Sequence, residues 1–385
     1  MRQERHKMDA RTADETTTVT VRLPSRTYDV SIGAGLLGAP QIWADHARGG
    51  RLVFVADERV WRLHGANVED ALSQAGIAPQ IILRRAGERL KSWSALHSLI
   101  DELLDLNLDR SDPIVALGGG VIGDLAGFAA SILKRGCPVI QAPTTLLAQV
   151  DSAVGGKTGI NWRHGKNLVG TFHQPSAVIA DTDVLRTLPL RHRRNGLAEV
   201  IKYGLIADGR FFEWCEGNAE AVLAGDRDAL MAAVSTCVRI KAEIVADDER
   251  DLSGRRALLN FGHSFGHALE AATCFSSRLL HGEAVAIGMV LALKLSARLG
   301  TIEQDLVHRV ERLIHAVGLP SNVRRVAPDL DARRMLELMR QDKKAVAGIP
   351  ALVLAKGLGS AFVSNDVPEA QLRSFLEQEL SGEVP

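Results

Sequence analysis

Five short apolar runs punctuate the first half of this 385-residue chain: RLVFVAD at 51–57, QIILRR at 80–85, PIVALG at 113–118, PVIQAP at 138–143 and AVIAD at 177–181. Helical stretches separate them, and that alternation predicts a mostly parallel sheet with helices on its faces. Residues 17–33 add two further strands, VTVRLP and YDVSIG, around a short polar turn. From about Leu190 the texture changes. Apolar residues then recur at helical spacing through 196–206, 228–247, 257–272, 283–299 and 303–317, with ALVLAKG at 351–357 as the one β-like exception. The expectation is an N-terminal α/β domain and a C-terminal helical domain, joined near residues 182–192.

Composition narrows the function classes. Lys plus Arg equals Asp plus Glu at 46 each, so no bulk charge favours nucleic acid or an anionic membrane. Any basic cluster is therefore local, suited to a small anion. No run of about 18 apolar residues exists to span a membrane. The polar start, MRQERHKMDARTADETTT, lacks the apolar core of a secretory signal, and residues 1–16 are expected to be a disordered extension. Cys137, Cys215, Cys237 and Cys274 form no CxxC pair and fit free thiols in a reducing cytoplasm.

The densest polar signal lies in RRALLNFGHSFGHALEAATCFSSRLLHG, residues 255–282. Arg256, Asn260, His263 and His267 are spaced to stack along one face of a helix whose other residues are largely apolar or small. Such a stripe needs partners, because an unpaired buried polar group costs several kcal/mol. His281 follows in an HGE turn. Upstream, GLAEVIKYG at 196–204 sets Glu199 and Lys202 on one face amid Leu197, Val200 and Ile201. Glu199 with two of His263, His267 and His281 makes a carboxylate–bis-imidazole set, an arrangement that suits catalytic zinc with an open position. Spacing alone does not choose between the histidines.

The N-terminal half carries a nucleotide signature. Gly118, Gly120 and Gly123 form a GxGxxG turn directly after the strand PIVAL, where backbone can approach a pyrophosphate at a helix N-terminus. These glycines follow a late strand, and no acidic residue closes a strand about twenty positions on. Asp57, ending VFVAD, is the better ribose carboxylate. A second cluster, TTLLAQVDSAVGGKTGINWRHGKNLVG, reads as a ligand loop: Thr144, Thr145, Asp151, Lys157, Lys166 and Asn167 among five glycines. Arg135, in LKRG, closes the preceding helix.

Eight blocks in order make the chain similar to the 3-dehydroquinate synthase family over roughly residues 50 to 360: GERLKSW, GGGVIGDLAGF, QAPTTLLAQVDSAVGGKTGIN, GKNLVGTFHQP, LAEVIKYG, LNFGHSFGHALE, HGEAVAIGM and DKK. The resemblance implies a Rossmann-like NAD-binding α/β domain (17–187) and an all-α metal- and substrate-binding domain (188–385), with the site in the cleft between them. It also implies a cytoplasmic homodimer, bound NAD and one divalent metal, Zn2+ or Co2+. Matched position by position, it makes Glu199, His263 and His281 the metal ligands. NAD would meet Asp57, Glu88, Lys91, the loop Gly119, Gly120, Val121, Ile122, Gly123 with Asp124, and Thr144 and Thr145; Lys166 would serve cofactor or substrate. The substrate would meet Asp151, Lys157, Asn167, Lys202, Arg256, Asn260, His267 and Lys343 or Lys344, while Arg135 would reach the phosphate from the neighbouring subunit. The implied reaction turns 3-deoxy-D-arabino-heptulosonate 7-phosphate into 3-dehydroquinate and phosphate by transient oxidation, elimination, re-reduction, ring opening and aldol closure. Two readings share this architecture: a sister sugar-phosphate cyclase such as 2-epi-5-epi-valiolone synthase, and a glycerol-dehydrogenase-like metal-dependent alcohol dehydrogenase. Arg256, Asn260, His267 and the DKK lysines favour the first family, since a carboxylate-bearing substrate wants that grip.

Overall fold

The chain opens with an antiparallel hairpin, β1 (Thr17–Arg22) and β2 (Thr27–Gly33), in register from Thr17↔Ile32 to Arg22↔Thr27. There follow α1 (Pro40–Ala44), β3 (Arg51–Asp57), α2 (Glu58–Gln74), β4 (Ala78–Arg84), α3 (Trp93–Asp105), β5 (Ile114–Gly118), α4 (Gly120–Ile132) and β6 (Val139–Pro143). A two-stranded hairpin, β7 (Lys157–Trp162) and β8 (Gly165–Phe172), precedes β9 (Ala177–Asp181). The main sheet has the order β1-β2-β9-β6-β5-β3-β4 and is parallel except for β1. This computed structural model describes residues 16–47, 50–85, 87–252, 254–340 and 351–381. Residues 1–15 of the expected extension, and Lys343 and Lys344, lie outside the described residues.

Burial explains why the strands are legible. Leu52, Phe54 and Ala56 of β3 enter one core while Val53 and Val55 enter the other, so a strand covered on both faces reads as an unbroken apolar run. Residues of α2 belong to the first core and those of α3 and α4 to the second. The chain runs outward from β3 to the edge strand β4 and returns to β5 on the other side of β3. That reversal opens a crevice at the C-terminal ends of β3 and β5, the place where open α/β sheets bind ligands.

The second half comprises α5 (Leu190–Ile206), α6 (Gly209–Ala224), α7 (Arg227–Asp247), α8 (His263–Ala272), α9 (His281–Arg298), α10 (Gln304–Ala316), α11 (Ala332–Arg340), the hairpin β10 (Leu352–Gly357) and β11 (Ser360–Ser364), and α12 (Glu369–Ser381). Helix α5 is buried at every position from Asn195 to Ile206, and α9 from Ala284 to Leu293, as befits helices apolar nearly all round. One core runs from Val30 and Ile32 of β2 through α5, α7 and α9 to Leu376 of α12, so the two halves share packing. Among the described residues no helix is long and apolar enough to cross a membrane.

Three expectations change. The glycine-rich segment 155–170 is no open loop, because much of it forms the β7–β8 hairpin. A Cβ at Gly170 would sit 1.9 Å from Thr158 O and one at Gly159 2.6 Å from Val169 O, so these glycines let paired backbones meet. The stripe from Arg256 to His267 does not run along one helix. A 3-10 segment, Arg255–Asn260, ends at Phe261, and Gly262 (φ 78°) turns the chain into α8. Close packing on α9 imposes the break, since a Cβ at Gly262 would lie 2.6 Å from Met289 N. Finally, α6 is a helix the apolar spacing did not announce, whereas ALVLAKG keeps its expected β character, paired with β11.

Candidate active site and metal centre

Glu199 and Lys202 lie one turn apart on the buried part of α5, 0% and 1% exposed, with Oε2 against Nζ. Taking both charges out of water costs several kcal/mol each, so the surroundings must repay it. His263 opens α8 and His281 opens α9, and their Nε2 atoms approach Glu199 Oε1 at 3.6 and 3.4 Å. Each ring is held from behind: His263 Nδ1 lies 3.2 Å from Phe261 O, and His281 Nδ1 3.2 Å from Glu270 Oε2. Acceptors opposite Nδ1 hold a proton there and turn Nε2 of each ring toward the carboxylate.

The three ligand atoms lie within 4.8 Å of one another, and among the described residues the buried Glu199 Oε1 has no hydrogen-bond partner, while Oε2 is taken by Lys202. A carboxylate oxygen left over from the Lys202 pair and faced by two imidazole nitrogens fits a divalent ion with N2O ligation, such as Zn2+ or Co2+. A second cluster, His267, Glu270 and His281, also converges. There, however, Glu270 Oε1 already takes Lys166 Nζ at 2.9 Å and Oε2 takes His281, so both its oxygens are engaged, whereas Glu199 keeps Oε1 for an ion. Burial opposes charge on His281, yet Glu270 and Glu199 outweigh it and raise the imidazolium to about 10. A divalent ion can take the place of that proton in the same negative field.

Helix α5 also positions the turn before His281. Arg191 grips Glu283 with two bonds of 2.7 and 2.8 Å and donates to Ser277 O and Arg278 O at 2.9 Å. Asn195 Oδ1 accepts from Gly282 N at 2.6 Å.

Beside the metal cluster stands a second charged group. Asp151, in the π-helical turn Ala148–Ser152, accepts from Lys241 Nζ at 2.7 Å and from Tyr203 Oη at 3.0 Å. Burial would raise its pKa, but Lys241 and Lys202 hold it well below the ordinary carboxylate range. Lys202 is likewise disfavoured by burial, but Glu199 and Asp151 raise it. For Lys241 burial prevails and the pKa falls. Lys241, Tyr203 and Glu270 were not singled out from the sequence, although each is a polar group among apolar neighbours on its helix.

Around this centre, Lys157 Nζ meets Asp251 at 2.5 Å and stays half exposed. The Arg256 guanidinium donates to Gly155 O at 2.7 Å and Glu249 O at 2.8 Å and lies over the Phe172 ring. Asn260 Nδ2 bonds Ala257 O at 3.0 Å. The rings of His267 and His263 stand 5.4 Å apart, edge to face. Arg135 is not brought to the cluster within one chain. It is exposed at the far end of α4, whose 13 residues span about 20 Å at ~1.5 Å per residue.

At the sheet crevice, α4 starts at Gly120 without a side-chain cap, leaving amides available at its N-terminus. Gly119 and Gly123 allow close packing, since Cβ atoms there would meet Thr145 at 3.0 Å and Gln141 at 2.7 Å. Val121 and Ile122 belong to the same first turn. Thr144 Oγ1, just after β6, is buried with no hydrogen-bond partner among the described residues, a polar group able to meet a ligand in the crevice. Asp57 caps α2 through Oδ1 alone, bonding Arg59 N and Val60 N. Lys91 bonds Asp124 at 2.5 Å and also Asn167 Oδ1, while Glu88 accepts from Asn161 at 2.8 Å. Burial raises Asp124, with Lys91 opposing. Lys166 bridges the two groups, 2.9 Å from Glu270 and 4.0 Å from Glu88.

Family models described as 3-dehydroquinate synthase N-terminal and C-terminal match residues 81–195 and 196–345. The chain is 52% identical over 365 residues to 3-dehydroquinate synthase of Caulobacter vibrioides, covering 94% of this chain and 98% of that protein. To the enzyme of that name from Zymomonas mobilis it is 45% identical over 368 residues, covering 95% and 97%. The solved structure of 2-epi-5-epi-valiolone synthase from Streptomyces hygroscopicus, with NAD+ and Zn2+ bound, superposes with TM-score 0.85 at 30% identity over 94% of this chain and 98% of the other. For 2-deoxy-scyllo-inosose synthase complexed with carbaglucose-6-phosphate, NAD+ and Co2+, the values are 0.84 and 25% over 94% and 100%. A glycerol dehydrogenase from Schizosaccharomyces pombe shares the fold, at TM-score 0.65 and 17% identity over 91% and 88%.

Proposed function

The chain belongs to the 3-dehydroquinate synthase family, and from that membership we infer that it converts 3-deoxy-D-arabino-heptulosonate 7-phosphate to 3-dehydroquinate and phosphate, a step of the shikimate pathway. The observation that carries the reading is the buried Glu199 Oε1 faced by two pre-oriented imidazoles, in a chain whose sheet crevice also offers the uncapped N-terminus of α4. Bound NAD supplies a reversible hydride acceptor, and a bound Zn2+ or Co2+ supplies Lewis acidity toward the substrate's hydroxyls.

The chain's own residues do the holding. Glu199, His263 and His281 bind the ion. Asp57, Glu88, Lys91, Gly119–Gly123, Asp124, Thr144 and Thr145 retain the dinucleotide through both hydride transfers. Lys202 is kept an ammonium by Glu199 and Asp151 and offers a fixed cation to substrate oxygens. Lys157, whose partner Asp251 is exchangeable at the protein surface, takes the phosphate with Arg135, and that phosphate serves as base for its own elimination. Asp151, Asn167, Arg256, Asn260 and His267 grip the carboxylate and hydroxyls, fixing one conformer and excluding water through ring opening and aldol closure. Lys166 adds a cation between the two groups, and the family resemblance assigns a further substrate contact to Lys343 or Lys344.

Residues 17–187 then form the NAD-binding domain and 188–385 the metal- and substrate-binding domain. The exposed position of Arg135, remote from its own cluster, supports a homodimer in which it reaches the partner's site. A cytoplasmic location suits an enzyme with this substrate and cofactor. The likeness to 2-epi-5-epi-valiolone synthase favours a sister cyclase as the second reading, at a lower identity than the dehydroquinate synthases.

One assay separates these readings. Phosphate release and absorbance at the NADH band are followed with the heptulosonate phosphate and with sedoheptulose 7-phosphate, which lacks the carboxylate. Phosphate from the acid sugar with a flat steady-state NADH signal is expected, abolished by chelator and restored by zinc or cobalt. Net NADH accumulation would mean a dehydrogenase, and preference for sedoheptulose 7-phosphate a sister cyclase.

A further inference from the structure

Glu270 has no role in the chemistry above, yet it is one of the most deeply buried acids in the chain, 3% exposed. It sits on α8, one turn beyond His267, and both its oxygens are committed. Oε2 stands 3.2 Å from His281 Nδ1, and Oε1 takes Lys166 Nζ at 2.9 Å. Helix α8 therefore supplies His263 directly and, through Glu270, the group behind the histidine that opens α9. The two imidazoles are held differently. His263 Nδ1 faces a neutral backbone carbonyl, whereas His281 Nδ1 faces a full negative charge. A charge-assisted bond is about twice as strong as a neutral one, and on a metal-bound imidazole it fixes ring orientation and raises the basicity of the other nitrogen.

Lys166 answers the obvious objection that Glu270 could itself bind the ion. Its ammonium occupies the second oxygen, and it is further located 4.9 Å above the Phe275 ring. The carboxylate is thus clamped between a cation from the β7–β8 hairpin and the ring it orients.

We propose that Glu270 is a positioning residue: clamped by Lys166, it holds His281 in the tautomer and orientation that present Nε2 beside Glu199. The proposal rests on the reading of Glu199, His263 and His281 as the metal ligands. Glutamine keeps an oxygen that can accept from Nδ1–H, whereas alanine and methionine remove it. Zinc dissociation constants by chelator competition, and visible spectra of the cobalt-loaded protein, separate the possibilities. Glu270→Ala should weaken zinc about 10–100-fold. Glu270→Gln should recover most of that loss and keep the wild-type cobalt band positions, with NAD affinity unchanged in both. Should the alanine variant fail to fold, Glu270→Met, near in length, carries the same arm. Wild-type zinc affinity in the variants without an acceptor would overturn the proposal. So would Glu270→Gln losing stoichiometric metal with an altered cobalt spectrum, which would make Glu270 a ligand. His281→Ala keeps the two readings apart: full zinc occupancy there would sink the ligand assignment itself, whereas loss there beside an unaffected Glu270→Ala would sink only the positioning role.

Discussion

An alanine at Gly282 should disable the metal site before it disables the fold. Gly282 follows His281 at the start of α9, where α9 passes over α5. A Cβ at that position would lie 1.9 Å from Asn195 O and 2.8 Å from Asn195 C, while real contacts of this kind stay beyond 3.0 Å. The obstacle is backbone inside a buried helix, so no rotamer relieves it, and α9 must retreat by a distance on the order of 1 Å. Retreat also stretches the 2.6 Å bond from Gly282 N to Asn195 Oδ1. Overpacking of this sort costs about 1–3 kcal/mol, tolerable for a chain with so large a core. The metal site is less forgiving, because metal–nitrogen distances tolerate only about 0.2 Å. A ~1 Å misplacement of a catalytic group costs about 10²-fold. Gly282→Ala should therefore raise the zinc dissociation constant at least ~10-fold and lower kcat about 10²-fold, with far-UV circular dichroism unchanged and a urea midpoint only modestly reduced. Gly266→Ala is the milder comparison, since its Cβ would meet Ala284 O at 3.2 Å, a tight contact that a shift of a few tenths of an ångström relieves. Wild-type zinc affinity and kcat in Gly282→Ala would show that the crossing of α5 and α9 does not hold His281.

Two further outcomes follow from the charged groups. Lys157→Ala should raise KM and slow phosphate release by roughly 10-fold or more, the worth of a charged hydrogen bond, while NAD affinity measured by fluorescence titration stays the same; unchanged kcat and KM would make Lys157 structural. Asp151→Asn removes the carboxylate that balances Lys241, which keeps only the neutral Asp151 carbonyl at 2.5 Å and the new amide, and should cost about 1.5–3 kcal/mol in urea unfolding at pH 7. Because Lys241 and Lys202 depress the folded pKa of Asp151 despite its burial, its contribution is complete above the unfolded value of about 3.9 and fades as pH falls below it. The gap between wild type and Asp151→Asn should accordingly narrow below about pH 4, and a gap that stayed constant down to pH 3 would refute that account.

Much of the architecture was legible because burial on both faces writes itself into the chain. The runs at 51–57 and 177–181 coincide with β3 and β9 residue for residue, since Leu52–Ala56 and the whole of Ala177–Asp181 are covered above and below. The hairpin β7–β8 was hidden for the opposite reason: Gly159 and Gly170 mark backbones in contact, and a glycine chosen for close approach looks the same in a sequence as one chosen for a turn. The stripe from Arg256 to His267 failed similarly, because helical spacing carries no sign that α9 presses on Gly262 and forces the chain to break. The residue types of the site were present in the sequence, down to a carboxylate and three histidines, and the order of its motifs pointed to a family. Which groups meet was a tertiary matter. Glu199, His263 and His281 begin or ride three different helices, and Lys166 and Glu270 come from opposite halves of the chain. Local periodicity reports only which face of an element is buried; it says nothing of which distant element covers that face. The convergence of two Nε2 atoms on one buried carboxylate oxygen, with Glu270 behind the second ring, exists only once α5, α8 and α9 have packed.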